Sequence, residues 1–187
     1  MKKIDLNKLR DKAYKTACEH GLHDQELSNE HCLCLVISEL MKAVEADRKR
    51  KYFKGKIMFE RDFNLYSALE EENVRYRNAF EKHIKDTVGD KLADTVIRLL
   101  DLAGLRNLNL NRFALVNVVS KKKTFTENIH SIVKDITNYK YTLEELVNYA
   151  ITQVFVLSDI LDIDLLWHIE HKMKYNELRE DMYGKKY

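Results

Sequence analysis

Residues 32–46 read CLCLVISELMKAVEA, and after the two cysteines only Ser38, Glu39, Lys42 and Glu45 are polar. At about 100° per residue, the apolar positions occupy nearly the whole circumference of a helix, the pattern of a helix buried on most sides. Glu39 falls on the same face as Cys32, Leu35, Ala43 and Ala46. It is therefore expected inside the protein, where an isolated carboxylate is costly without a partner.

The punctuation of the chain supports the same class. Its 187 residues contain no proline and only five glycines, with 45% hydrophobic and 33% charged residues. A β-rich protein of this size needs many more turn residues, whereas helices joined by short polar turns need few. The expectation is an all-α helical bundle of six or seven helices, with residues 1–187 forming a single domain.

Apolar recurrence at helical spacing predicts a first helix over 5–20, closed by Gly21, and a second capped by Ser28 or Asn29 and ending near residue 50. Residues 52–64, containing Gly55, read as an exposed connection, followed by a charged helix over 67–85. The next helix starts near Asp90 and ends near Gly104, and the Asn- and Leu-rich stretch 106–115 fits no element. Helices over 126–137, 143–161 and 164–176 complete the reading, with a polar tail from 179.

The helix from Asp90 repeats the contradiction of the second. Asp90, Asp94 and Asp101 fall within about 40° of one another around its axis, opposite an apolar stripe. Three aligned carboxylates repel unless solvent, bases or a cation compensate them. Two readings stay open: the aspartates face water and Glu39 pairs with a lysine, or the acids form a divalent-cation site.

The other features point less sharply. Cys18, Cys32 and Cys34 read as reduced thiols, because Cys32 and Cys34 lie about 200° apart on a helix and cannot share a metal. His168 and His171 have no third ligand at helical spacing and read as surface or interface histidines. The net charge of +2, from 32 basic against 30 acidic residues, gives no bulk field for nucleic acid. The basic runs 48–51 and 121–123 are short and lack an aromatic platform. The charged N-terminus does not read as a signal peptide, and nothing approaches the ~20 consecutive apolar residues of a membrane span, so a cytoplasmic protein is expected.

Four stretches then resemble a known family, the MazG-like all-α nucleoside triphosphate pyrophosphohydrolases. They are DLNKLRDKAYKTACEHG at 5–21, LVISELMKAVEADRKRK at 35–51, DKLADTVIRLLDLAG at 90–104, and IDLLWHIEHKMKYNELR at 163–179 with the final GKKY. The resemblance implies a bundle, working as a dimer or tetramer, that uses Mg²⁺ to cleave a nucleoside triphosphate to the monophosphate and pyrophosphate; the nearly all-round apolar helices over 32–46 and 92–105 favour a homodimer. Members hold the metal with Glu-Glu-x-x-Glu on one helix and Glu-x-x-Asp on the next.

Here the first motif reads Ser38-Glu39-x-x-Lys42 and the second Lys91-x-x-Asp94. On that resemblance Glu39 and Asp94 are the catalytic and metal candidates; Asp90, well placed beside Asp94, joins them as a substitute metal ligand, and Glu45, about 120° around its helix from Glu39, is a poor one. Asp101 resembles a nucleotide contact, and Lys172, Asn176 and Arg179 a basic group directed at phosphate. Four carboxylates would carry roughly −4, whereas Glu39, Asp94, Lys42 and Lys91 sum to about zero at neutral pH, so an ammonium can take a cation's place. Two functions are expected: a Mg²⁺-dependent pyrophosphohydrolase with an altered ligand set, or a catalytically inactive relative acting in nucleotide binding or protein assembly.

Overall fold

The computed structural model describes residues 4–65, 69–111, 119–138 and 140–179. Among them the chain is all-α, with eight helices and no strand. These are α1 (Leu6–Glu19), α2 (Asn29–Arg48), α3 (Lys56–Asn64), α4 (Glu72–His83), α5 (Val88–Leu105), α6 (Phe125–Ile136), α7 (Leu143–Ile160) and α8 (Leu165–Glu177).

Polar side chains start most of these helices. Asp5, Ser28, Thr87 and Asp164 each accept a hydrogen bond from the backbone N–H three residues on. Thr124 with Glu127, and Thr142 with Glu145, form reciprocal capping boxes at α6 and α7. Each such cap satisfies N–H groups that a helix start leaves orphaned, worth about 1 kcal/mol. Gly21 follows the end of α1 at φ 69°, a left-handed conformation that favours glycine.

Two segments differ from the sequence reading. The expected connection over 52–64 contains α3, whose Phe59 is buried. Its ring meets Tyr76, Trp167 and His171 edge-on, partners supplied by α4 and α8 rather than by local periodicity. The charged helix expected over 67–85 is shorter, at Glu72–His83, and residues 66–68 lie outside the described part. In the stretch 106–115, Leu110 is fully buried, and α7 fixes its neighbour: Asn148 donates to the Asn109 carbonyl at 2.9 Å. Residues 112–118 and the tail from 180 lie outside the described part.

α5 is the axis of the molecule. It packs against α1, α2, α7 and α8, with Leu92, Val96, Leu99, Leu100 and Ala103 fully buried. Each buried leucine contributes about 1.5–3 kcal/mol. Its all-round apolar character is thus met within one chain and needs no second copy. α2 keeps a partly uncovered face, with Leu33, Ile37 and Val44 half-buried and Met41 45% exposed. A second, aromatic cluster gathers Phe59, Tyr76, Phe80 and Tyr175 with Phe53, Phe63 and Trp167 under α3, α4 and α8. No single helix among the described residues is long and apolar enough to cross a membrane.

Candidate functional site

The acids of α2 and α5 converge, and α8 meets them. Asp90 is fully buried; its Oδ1 lies 2.8 Å from Lys172 Nζ, and its Oδ2 accepts from the Asp86 N–H at 2.8 Å. The same Lys172 ammonium lies 2.9 Å from Asp94 Oδ2. Lys91 reaches Asp86 at 2.8 Å, Asp90 at 3.3 Å and Asp94 at 3.8 Å. On α2, Lys42 donates to Glu39 Oε1 at 2.8 Å, while the buried Oε2 has no hydrogen-bond partner among the described residues. Ser38 is half-buried one residue before it.

Of the two readings of the acids, the one with solvated aspartates and a paired Glu39 is met only in part. Glu39 pairs with a lysine, but Asp90 does not face water.

Electrostatics follow this arrangement. Burial raises Asp94 to about 6; the Lys172 charge opposes the rise, and Asp90 and Glu39 add to it. Burial pulls Lys172 down, but the Asp94 and Asp90 carboxylates outweigh it and hold the amine above its ordinary value. Lys91 behaves alike, with Asp90, Asp86 and Asp94 overcoming the cost of burial. An ammonium at hydrogen-bonding distance on each side keeps this buried centre compensated.

That donor set does not fit Mg²⁺. The ion demands near-octahedral oxygen ligation at about 2.0–2.1 Å. Both Asp90 oxygens are already engaged, and Lys172 spans the space between Asp90 and Asp94. Glu45, the other acid weighed as a substitute ligand, is held by Arg48 at 3.0 Å and Lys49 at 2.9 Å. Among the described residues, no group of three or more His, Cys, Asp or Glu side chains is arranged to hold a metal ion.

A cleft opens beside this centre, between α1, α5 and α8. It offers about 90 Å³ of water-accessible space and is lined by Asp94, Asp101, Asn176 and Arg179. These are four of the residues that the sequence nominated, brought together here. Lys172, nominated with Asn176 and Arg179, sits deeper and belongs to the ionic centre instead. Its position one turn earlier on α8 brings it to Asp90.

The sequence reading missed Arg98, His20 and Thr16, which also line the cleft. Arg98 carried a signal: it lies four residues after Asp94 and three before Asp101, on the same helix face. Neither Arg98 nor Arg179 makes an ion pair among the described residues, and the buried Asn176 Oδ1 has no hydrogen-bond partner there. Asp101 lies 2.7 Å from His23 Nε2; burial raises its pKa, and His23 opposes the rise. His23 sits in a loop far from Asp101 in sequence, so no local pattern announced it.

Of the α8 histidines, expected at the surface or an interface, His168 is buried and His171 half-buried. His168 is 3% exposed, with its ring centroid 5.2 Å from that of Phe53 and 5.1 Å from that of Trp167. Burial lowers it to about 4, so the ring is neutral at ordinary pH. His171 stacks on Trp167 at 3.8 Å. Aromatic rings recruited from the 52–64 segment enclose both, and that segment had been read as exposed.

Fold and site together define a class: an all-helical protein with an internally compensated ionic centre flanked by a cleft that two arginines and two aspartates line. Comparison with known protein families, curated proteins and solved structures finds no match in any of the three.

Proposed function

We propose that the chain is a nucleotide-binding protein on a MazG-like scaffold, in which the Lys172 ammonium replaces the metal and hydrolysis has been lost. The observation that carries this reading is Lys172 Nζ at 2.8 Å from Asp90 and 2.9 Å from Asp94. A lysine held between the buried Asp90 and the half-buried Asp94 occupies the oxygens that Mg²⁺ would need to activate water. The ligand class is a nucleoside triphosphate or a related nucleotide. Its support is the cleft, where Arg98 and Arg179 present guanidinium groups that make no ion pair among the described residues, beside Asn176 and Asp101. Arginine recognises phosphate through paired N–H groups, and the amide and carboxylate offer acceptors for a base or sugar. A homodimer is part of the proposal, supported by the partly uncovered α2 face at Leu33, Ile37, Met41 and Val44.

The test is a nucleotide panel titrated into the full chain by calorimetry with and without Mg²⁺, alongside an assay for released pyrophosphate. Binding without Mg²⁺, weakened by Arg98→Gln and Arg179→Gln, is expected, with no release. Mg²⁺-dependent release by the folded native protein would overturn the loss of hydrolysis. Absence of binding by every nucleotide would overturn the ligand class.

A further inference from the structure

We infer that the outer face of α3, with the basic segment that leads into it from α2, is a docking surface for an anionic lipid bilayer, touched from one side and not crossed. Residues 48–64 hold seven basic residues against two acidic ones, a net charge of +5. Of the chain's 32 basic and 30 acidic residues, that leaves 25 and 28 elsewhere, a net charge of −3. A nearly neutral chain thus concentrates its positive charge in one stretch, an asymmetry suited to a negatively charged surface. The stretch shares no residue with the cleft or the ionic centre, so the inference stands apart from the proposed function.

The geometry exposes both apolar and charged groups. Phe59 turns one side of α3 toward Tyr76 and Trp167. At about 100° per residue, Ile57, Arg61, Leu65 and Met58 share an arc of about 100° directly opposite Phe59 and Phe63. On that arc Ile57 is 82% exposed and Leu65 61%, and Met58 is exposed beside them. Some of the cations are already held: Arg48 and Lys49 share the Glu45 carboxylate, Lys56 pairs with Asp164, and Arg61 with Asp62. Arg50, Lys51 and Lys54 make no ion pair among the described residues. Asp86, within reach of the Lys51 charge, is held by Lys91 at 2.8 Å. Lys54 precedes Ile57 by three residues, a chain reach of about 11 Å at most. The segment is also fixed in place, because the Lys51 carbonyl accepts from the Val88 N–H at 2.8 Å and the Phe53 ring stacks on Trp167 at 4.9 Å.

The chemistry selects the occupant. Open aliphatic side chains gain by leaving water, and cations gain by approaching lipid phosphates and carboxylates; a bilayer interface offers both at once. A single-stranded nucleic acid needs aromatic rings on which its bases stack. The two rings of the basic segment are engaged elsewhere, Phe53 on Trp167 and Tyr52 through its hydroxyl, which donates to Asp47. Ile57 and Leu65 gain nothing from a sugar–phosphate backbone.

The experiment floats the full chain with vesicles of phosphatidylcholine alone, or of an equimolar mixture with phosphatidylserine, at low and at raised salt. The charge variant is Lys51→Gln/Lys54→Gln and the apolar variant Ile57→Gln/Leu65→Gln; all four side chains are exposed, and an unchanged urea midpoint confirms the fold. Lys15→Gln/Lys134→Gln, on α1 and α6, removes the same charge elsewhere as a control. The native chain is expected to bind the mixed vesicles, not the neutral ones, and to release as salt rises. Partitioning should fall about thirtyfold in the charge variant and about tenfold in the apolar variant, while the control stays within about twofold. Absence of binding to the mixed vesicles, or equal losses in the charge variant and the control, overturns the inference. So does an unaffected apolar variant, which would reduce the contact to bare charge attraction. A single-stranded oligonucleotide bound through Lys51 and Lys54, with the vesicles left unbound, overturns it in favour of nucleic acid.

Discussion

Helix α8 serves two interiors that treat charge in opposite ways. Toward α5 it sends Lys172, which stays protonated between Asp90 and Asp94. Toward α3 and α4 it sends Trp167, His168 and His171, and there His168 is stripped of its charge. Both groups are buried, so burial alone does not decide the outcome. What differs is the partner: carboxylate oxygens within 3 Å repay the desolvation of Lys172, whereas Phe53 and Trp167 offer His168 none. The contrast teaches that one helix meets two kinds of neighbour within two turns, and that the neighbour sets the charge.

The largest way to break the contrast is Lys172→Met, which puts an apolar side chain between the buried Asp90 and the half-buried Asp94. Removing one partner of a buried ion pair costs about 3–5 kcal/mol, so a urea midpoint at pH 7 should fall sharply. A loss under about 1 kcal/mol would show that the centre is not held by this lysine. Added Mg²⁺ should then stabilise Lys172→Met more than the native chain, because the cation's position has been vacated by the ammonium.

Next comes Gly89→Ala on α5. A Cβ there would stand 2.5 Å from His168 Nε2, so the ring must shift against its aromatic neighbours. Overpacking of this kind costs about 1–3 kcal/mol, read in the same melts; an unchanged midpoint would mean that the ring moves freely.

The pH dependence sharpens the comparison further. Because His168 is lowered to about 4, its contribution to stability is complete above its unfolded value of 6.5 and is lost as pH falls toward 4. Asp94, raised to about 6, works the other way: its contribution is present below its unfolded value and lost as pH rises through 6. His168→Phe should flatten the acid side of a stability–pH curve while leaving the Asp94 slope. A curve identical to that of the native chain would place the acid sensitivity elsewhere.

Lys42→Gln should have the smallest effect. The lysine side chain is 53% exposed, so its contact with Glu39 is screened and worth about 1 kcal/mol or less. A midpoint shift as large as that of Lys172→Met would make Lys42, rather than Lys172, the principal cation.

Much of this was legible in the sequence where local rules sufficed. The buried character of α2 and α5, and the nearness of Asp90 to Asp94, follow from helical phase. The start of α2 follows from Ser28, whereas the capping boxes of Thr124 with Glu127 and Thr142 with Glu145 went unread although their three-residue spacing stood in the sequence. α3 was not legible, because its nine residues bury only Phe59 and its partners lie on α4 and α8. The role of Lys172 was hidden for a related reason: Asp90 stands 82 residues away, and helical phase says nothing about which remote carboxylate a lysine will meet. Arg98 was within reach, since it shares the face of Asp94 and Asp101.

The unequal anchoring of α5 and α3 also sets how the molecule breathes. α5 is enclosed on several sides, whereas α3 begins at Gly55 without a side-chain cap, buries only Phe59 and is otherwise tied by polar contacts such as Asp62 with His83 and Lys56 with Asp164. Amide protons along the middle of α5 therefore exchange with deuterium only when the whole molecule opens. Those of α3 exchange through a local fluctuation that leaves the ionic centre intact.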